Sequence, residues 1–481
     1  MAEHNKSIIS TFWEIYRNLD KNEKKEFSVF VESSIFNKKN ALKSILQACV
    51  HFEKERVVFD RQTLYAKAFH GKEINKQVLN NYFVELKKLL LQFLQIRWVS
   101  NKPSLHKWAL AEMYLQKGLF QHFEKLEEQT FKNTEISAEE SFFNYRLQSL
   151  FDEYAATHAK KKTYTKLNTS LLQFNTFYFL ESLRMYCELV NRKNLRIAAF
   201  DEKAMKTFLS YYESSLQNRN QNPLLEIYYF ILLFLLDEKN EKAFAHYKNN
   251  LKEYLHQIPM RTARDICLFG QNFCIKHINL NKQNYLHELF ELYNLMLQHR
   301  VIYDGQYMTE WTFKNYITVA LRLQAFDEAE QFIEVYHDKL LPDVRFNAFH
   351  YNLAALYYEK NDFVRAMDEL NKIHFRDTVY YLDARSILLK IYFAEEDFEA
   401  LASLYHSVRV YLLRNKQVSR KQADLYRNLF LYTHKLAALL GKRSFVKETE
   451  YAEAHVKLLK KVEQNAVANK NWLIKNLTDA A

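Results

Sequence analysis

Five glycines and four prolines punctuate 481 residues, about 2% of the chain where average usage gives about 12%. Glycine supplies the positive φ angles of tight turns and proline presets others, so many-turned folds consume both. Rossmann sheets, immunoglobulin sandwiches, β-barrels and P-loop domains are therefore disfavoured. What is left is an all-α chain whose helices are joined by short polar links. The apolar fraction of 48%, with 32 tyrosines and 37 phenylalanines, is ample for a packed core. Large rings suit gaps between helices.

Lys+Arg 68 against Asp+Glu 57 gives a net charge of +11, with the two signs mixed nearly everywhere. That balance permits acidic protein, nucleic acid or anionic membrane as partners and selects none of them. Cys49, Cys187, Cys267 and Cys274 form no CxxC pair and no disulfide framework, which points to a reducing compartment. Residues 1–19 carry charges and no continuous apolar run, so no signal peptide is expected. The longest apolar stretch, Leu224 to Leu236, contains Glu226 and is shorter than the roughly 20 residues of a bilayer span, so it reads as a buried core helix. A soluble, cytoplasmic protein is expected.

Helical periodicity runs through the chain. From Asn75 to Trp98, apolar residues such as Val78, Leu79, Tyr82, Phe83, Leu86, Leu89, Leu90 and Phe93 recur at three and four, giving one broad apolar stripe. Helices are predicted before it from Glu23 to Ile35, from Lys38 to Phe52 and from Arg61 to Phe69, the last with Asp60 as N-cap. Residues 1–100 thus read as an N-terminal helical domain, closed by Asn101-Lys102-Pro103-Ser104. Its short helix, turn and long helix invite a helix-turn-helix reading with Lys72, Lys76, Lys87 and Lys88 near phosphates. An ordinary helical hairpin with a solvated lysine face explains the same pattern.

Beyond residue 104 the sequence echoes itself. Phe326-Asp327-Glu328-Ala329, Phe363-Val364-Arg365-Ala366 and Phe398-Glu399-Ala400-Leu401 each follow a helix and a short polar link, and looser echoes lie at Asn240, Tyr285 and Gly118-Leu119-Phe120. The segment Asn352-Leu353-Ala354-x-x-Tyr357, followed by Ala366, Leu370 and Ile373, resembles a tetratricopeptide (TPR) repeat. The next copy keeps Leu388 and Tyr392 with Leu389 and Leu401 at the small positions. The previous one keeps Ala329 and Ile333 with Ile317 where a small residue belongs. The resemblance implies a right-handed α-solenoid of TPR-like hairpins. It covers 306–415, with degenerate helical-hairpin repeats over 101–305 and C-terminal capping helices over 416–481. Within 416–481, Gln422 to Leu440 reads as a helix stopped by Gly441, and a last helix runs from about Phe445 into Trp472.

Chemistry-bearing motifs are few. With glycines only at 71, 118, 270, 305 and 441, neither GxxxxGK[ST] nor GxGxxG exists. No two histidines stand three or four apart, and Cys267, Cys274 and His277 on one helix face read as core rather than metal ligands. GxSxG is absent. Carboxylate pairs such as Glu139-Glu140 read as solvated helix ends. No catalytic residue, metal or cofactor is assigned, and the chain reads as a non-enzymatic scaffold or adaptor. In the TPR family the first helix of each pair faces the groove. That resemblance implies a protein- or peptide-binding groove lined by Trp311, Lys314, Thr318 and Arg322, then Tyr351 and Tyr358, then Asp383, Lys390 and Phe393. Thr318 stands where the family's carboxylate clamp has Asn, which favours an extended, partly acidic segment over a free C-terminal carboxylate. The alternative reading is a nucleic-acid-associated regulator, with the N-terminal domain on DNA or the solenoid on RNA, and Lys160, Lys161 and Lys162 as candidate nucleic-acid contacts.

Overall fold

The computed structural model describes residues 8–54, 60–69, 75–130, 137–158, 167–194, 201–215, 222–373, 378–415 and 418–480. These residues form 23 α-helices and no strand. Lys72 and Gly71 of the helix-turn-helix reading, and Lys160, Lys161 and Lys162, lie outside the described residues. None of the described helices is long and apolar enough to cross a membrane. Packing divides the chain into two compact units, Met1–Phe179 and Leu180–Ala481.

The first unit opens with α1 (Ile8–Arg17), α2 (Lys21–Glu32), α3 (Asn40–Lys54), α4 (Arg61–Ala68) and α5 (Lys76–Ser100). Aromatic rings knit them together: Phe12 lies 5.4 Å from Phe83, and Phe27 lies 5.5 Å from Phe93. Asp60 caps α4 by accepting from the Thr63 amide at 2.8 Å, and Asp20 caps α2 through a reciprocal pair with Glu23. Helix α1 was not anticipated from sequence. Its buried Ile9, Phe12, Trp13 and Tyr16 supply part of the core. The unit continues with α6 (Pro103–Gln116), α7 (Phe120–Thr130) and α8 (Ala138–His158), while α9 (Leu167–Asn194) runs across the division. Glu139 pairs with Lys102 at a half-exposed position. Its neighbour corrects the solvated-end reading: Glu140 is 4% exposed and accepts a hydrogen bond from Ser104. With Asn144, Gln148 and Asp152 it forms a buried polar seam at four-residue spacing. Gln148 donates to Asp152 at 2.9 Å and Ser170 donates to the other Asp152 oxygen, so the seam is satisfied internally.

The second unit holds α10 (Glu202–Ser214), α11 (Pro223–Leu236), α12 (Glu241–Tyr254), α13 (Met260–Asn279), α14 (Asn284–Gln298), α15 (Glu310–Arg322), α16 (Phe326–Tyr336), α17 (Pro342–Glu359), α18 (Phe363–Lys372), α19 (Thr378–Ala394), α20 (Phe398–Arg414), α21 (Arg420–Leu440), α22 (Glu448–Gln464) and α23 (Lys470–Asp479). From α11 to α20, consecutive helices pack as hairpins, α11 on α12 through α19 on α20. The first helices of successive hairpins also touch: α15 packs on α17, α17 on α19, and α19 on α21. Ala320, Ala329, Ala354 and Ala366 are fully buried where paired helices meet; a methyl group there lets backbones approach. Gly270 does the same on α13, where an added Cβ would stand 2.6 Å from the Tyr247 hydroxyl. The single long terminal helix expected from the sequence is two helices. The chain breaks between Gln464 and Lys470, with Asn469 at φ 49°.

The hairpin links from α13–α14 to α19–α20 share one backbone device, whereas the α11–α12 link closes on an extended Asp237. Asn281, Gln324, Asn361, Glu396 and, in the first unit, Gly118 all have φ between 55° and 66°. At each link two amides reach back: Gln324 to Leu321 and Ala325 to Ala320, Asn361 to Tyr358 and Asp362 to Tyr357, Glu396 to Phe393 and Asp397 to Tyr392. This is the Schellman arrangement, which satisfies the carbonyls that a helix end leaves unpaired. Gly118 is the residue type best suited to it, and Asn281 and Asn361 are the next most tolerant. Other side chains in the left-handed region cost about 1–2 kcal/mol, a strain the second unit accepts at Gln324 and Glu396. Relief of strain, offset by glycine's greater freedom in the unfolded chain, predicts that Glu396→Gly stabilises by about 0.5–1 kcal/mol. Chemical denaturation measures it, and a loss of stability would contradict the assignment.

Cys267, Cys274 and His277 are buried in the hairpin interior. Burial pushes both thiols up. The His277 ring stacks on Tyr285 at 4.4 Å and meets Phe273 edge-on at 4.4 Å. Burial, then the Lys282 ammonium, hold its pKa below the usual histidine value, against the opposing Glu238 and Glu241. The unfolded chain therefore takes up this proton first as pH falls. The stabilisation is complete above the unfolded value, about 6.5, and is lost as pH falls through the lower folded value. Between about pH 7.5 and 5, His277→Phe is expected to lose less Tm than the natural chain in parallel thermal melts.

Candidate binding groove

The side chains that the repeat pattern assigns to a groove come from three adjacent first helices, α15, α17 and α19. Tyr351 and Tyr358 stand seven residues apart on α17, as do Asp383 and Lys390 on α19. Two helical turns separate each pair by about 10 Å, which arranges these side chains in two layers.

The first layer is an ion pair. Lys314 Nζ donates to Asp383 Oδ2, and both side chains are mostly buried. The Tyr426 hydroxyl of α21 donates to the other oxygen, Asp383 Oδ1. The Lys314 ammonium also lies 4.9 Å from the centre of the Tyr351 ring and 5.8 Å from that of Trp311, within cation–π range. Tyr351 itself is buried and packs on Tyr380 at 5.3 Å. Burial, then the Asp383 carboxylate, push the phenols of Tyr351 and Tyr426 well above their usual range. Both remain neutral donors at physiological pH.

The second layer is a cation among rings. Lys390 Nζ lies 5.6 Å from the Tyr358 ring and 5.7 Å from the Trp472 ring of α23, and it donates to Asn469 Oδ1 at 3.3 Å. Phe393 meets Trp472 edge-on at 5.6 Å. Burial pushes the Tyr358 phenol up to about 12, and the Trp472 indole N–H, a donor to that hydroxyl, offsets part of the rise. Burial holds the Lys390 ammonium below its usual range, although the Glu359 and Asp383 carboxylates pull the other way. Among the described residues no carboxylate forms an ion pair with Lys390, in contrast to Lys314.

Lys314, Tyr351, Asp383, Tyr358, Lys390 and Phe393 are thus gathered into the layers. Trp311 stands on the rim, 51% exposed. Arg322 lies apart, exposed and donating to Gln283 Oε1 at 3.3 Å. The Thr318 hydroxyl turns back to the Lys314 carbonyl at 2.8 Å. Tyr426, Asn469 and Trp472 complete the layers and were not assigned to the groove from sequence. They come from outside the repeated segment, and no local spacing marks them. Among the described residues no group of three or more His, Cys, Asp or Glu side chains could hold a metal ion. No protein-family model, curated protein or solved structure matches this chain.

Removing one partner of a mostly buried ion pair strands the other, whereas removing both with apolar replacements does not. Lys314→Met is expected to destabilise by on the order of 3 kcal/mol, and Lys314→Met with Asp383→Leu to recover most of that loss. Urea titrations of the two single variants and the double variant check it.

Proposed function

We propose that the chain is a non-enzymatic scaffold: a right-handed α-solenoid of TPR-like hairpins that binds an extended, partly acidic protein segment along its groove. The observation that carries this reading is Lys390. It is a half-buried ammonium framed by tyrosine and tryptophan faces, with a neutral amide where Lys314 has a carboxylate. A carboxylate from a partner would meet a cation already stripped of much of its water, and charge-assisted hydrogen bonds are the strong ones. Trp311 on the rim supplies the exposed aromatic surface that recognition surfaces favour. Extended segments are held by such alternating pockets. The folding role of Lys314 and Tyr351 makes them poor probes of binding, whereas neither Lys390 nor Trp311 takes part in an ion pair among the described residues.

The test is capture of partners by the tagged chain, with nuclease treatment and moderate salt. A defined protein retained under those conditions, and lost with Lys390→Glu and Trp311→Ala, is the expected result. A partner that disappears with nuclease, and whose binding falls steeply with the logarithm of salt concentration, would support the nucleic-acid reading instead.

A further inference from the structure

The groove is closed from within the chain, and the two layers are closed with different strengths. In the first layer Asp383 is satisfied by a cation and a phenol, and opening it would strand a mostly buried charge. In the second layer the occupants are neutral. They are the Trp472 ring, edge-on to Phe393 and facing Lys390, and the Asn469 side chain accepting from Lys390 at 3.3 Å. Both belong to the last helix and the link before it. That link is fastened to α21 by backbone groups: the Ala468 amide donates to the Leu425 carbonyl at 3.1 Å, and Asn428 donates to the Ala466 carbonyl at 2.9 Å. Asn469 takes φ 49° with no side-chain cap on the helix it begins, and from that left-handed conformation, which Asn tolerates better than most residues, its side chain reaches Lys390. Leu473 and Leu477, buried on the other side of α23, set it against the preceding helix, where His455 meets the Leu477 carbonyl at 2.7 Å.

We propose that α23 is an internal occupant of the groove: Trp472 and Asn469 fill the Lys390 layer that an external segment would enter, so occupancy by the C-terminal helix and by a partner exclude each other. This rests on the groove reading proposed for the chain's function. An incoming carboxylate gains an ion pair that Asn469 cannot offer, while Trp472 is favoured by its tether, which acts as a millimolar effective concentration. The balance makes Lys390 both the lock and the point of entry.

The experiment compares the full chain with Trp472→Ala, Trp472→Phe and the pair Trp472→Ala with Lys390→Met. Lys390 exposure is read by its rate of acetylation with acetic anhydride, followed by peptide mapping. Exchange is read by binding of a fluorescein-labelled peptide of residues 466–480. Expected are at least about a tenfold faster acetylation of Lys390 and about a tenfold gain in peptide affinity for Trp472→Ala. A smaller gain is expected for Trp472→Phe, which keeps a ring and therefore the packing. The affinity gain should vanish when Lys390→Met is added. Equal acetylation and equal peptide binding in the natural chain and in both Trp472 variants would overturn the proposal, as would a gain that survives Lys390→Met. If the peptide exchanges but no partner is ever captured, the scaffold reading fails while the internal occupant stands. A captured partner with no exchange gives the reverse.

Discussion

A helix that ends in a left-handed residue turns back and can lay its successor against itself within three residues. The second unit depends on this device. Each Schellman link at Asn281, Gln324, Asn361 and Glu396 ties the helix terminus through two backbone hydrogen bonds, fixing where the next helix begins and how closely it packs. The strain of a side chain at positive φ is offset by the packing of the second helix in each pair. Phe326, Phe363 and Phe398 start these helices, and Ala329, Ala366 and Leu401 are buried one turn later. Short links leave little freedom in the angle between partners, so the first helices of successive hairpins come to lie side by side. A row of first helices is what gathers residues as distant as Lys314, Tyr351 and Asp383.

Within that row the decisive quantity is the cost of desolvating charge. Lys314 and Asp383 share the cost and are further satisfied by Tyr426. Lys390 bears it with an amide and two rings around it, and burial holds its ammonium below the usual range. The first layer therefore holds a neutralised pair and the second a cation with no ion pair, although both are built on the same two helices, two turns apart. Their difference lies in what the third contributor brings: a phenol from α21 to a layer already neutralised, an indole and an amide from the C-terminal segment to one that is not.

Much of the helical pattern was legible along the sequence. The Asp60 cap, the core helix at Leu224 to Leu236, the stop at Gly441 and the echoes at Phe326, Phe363 and Phe398 are local patterns, and local patterns decide local structure. The links were harder to read. Scarce glycine suggested that left-handed turns would be scarce too, yet Gln324, Asn361 and Glu396 occupy them, because packing on both sides outweighs about 1–2 kcal/mol of strain. Glu140 misled for a related reason. A charged residue in a helix's first turn reads as solvated unless a partner such as Ser104, on another helix, is known to face it.

The sequence by itself determined an all-α chain and much of its helical pattern, since these follow from periodicity and spacing within a few tens of residues. Tertiary structure decided which of the charges on α15, α17 and α19 are neutralised. It did so by bringing Tyr426, Asn469 and Trp472 from beyond the repeats onto Asp383 and Lys390. Whether a buried charge is neutralised depends on what stands within a few ångströms of it, and that neighbour can come from anywhere in the chain.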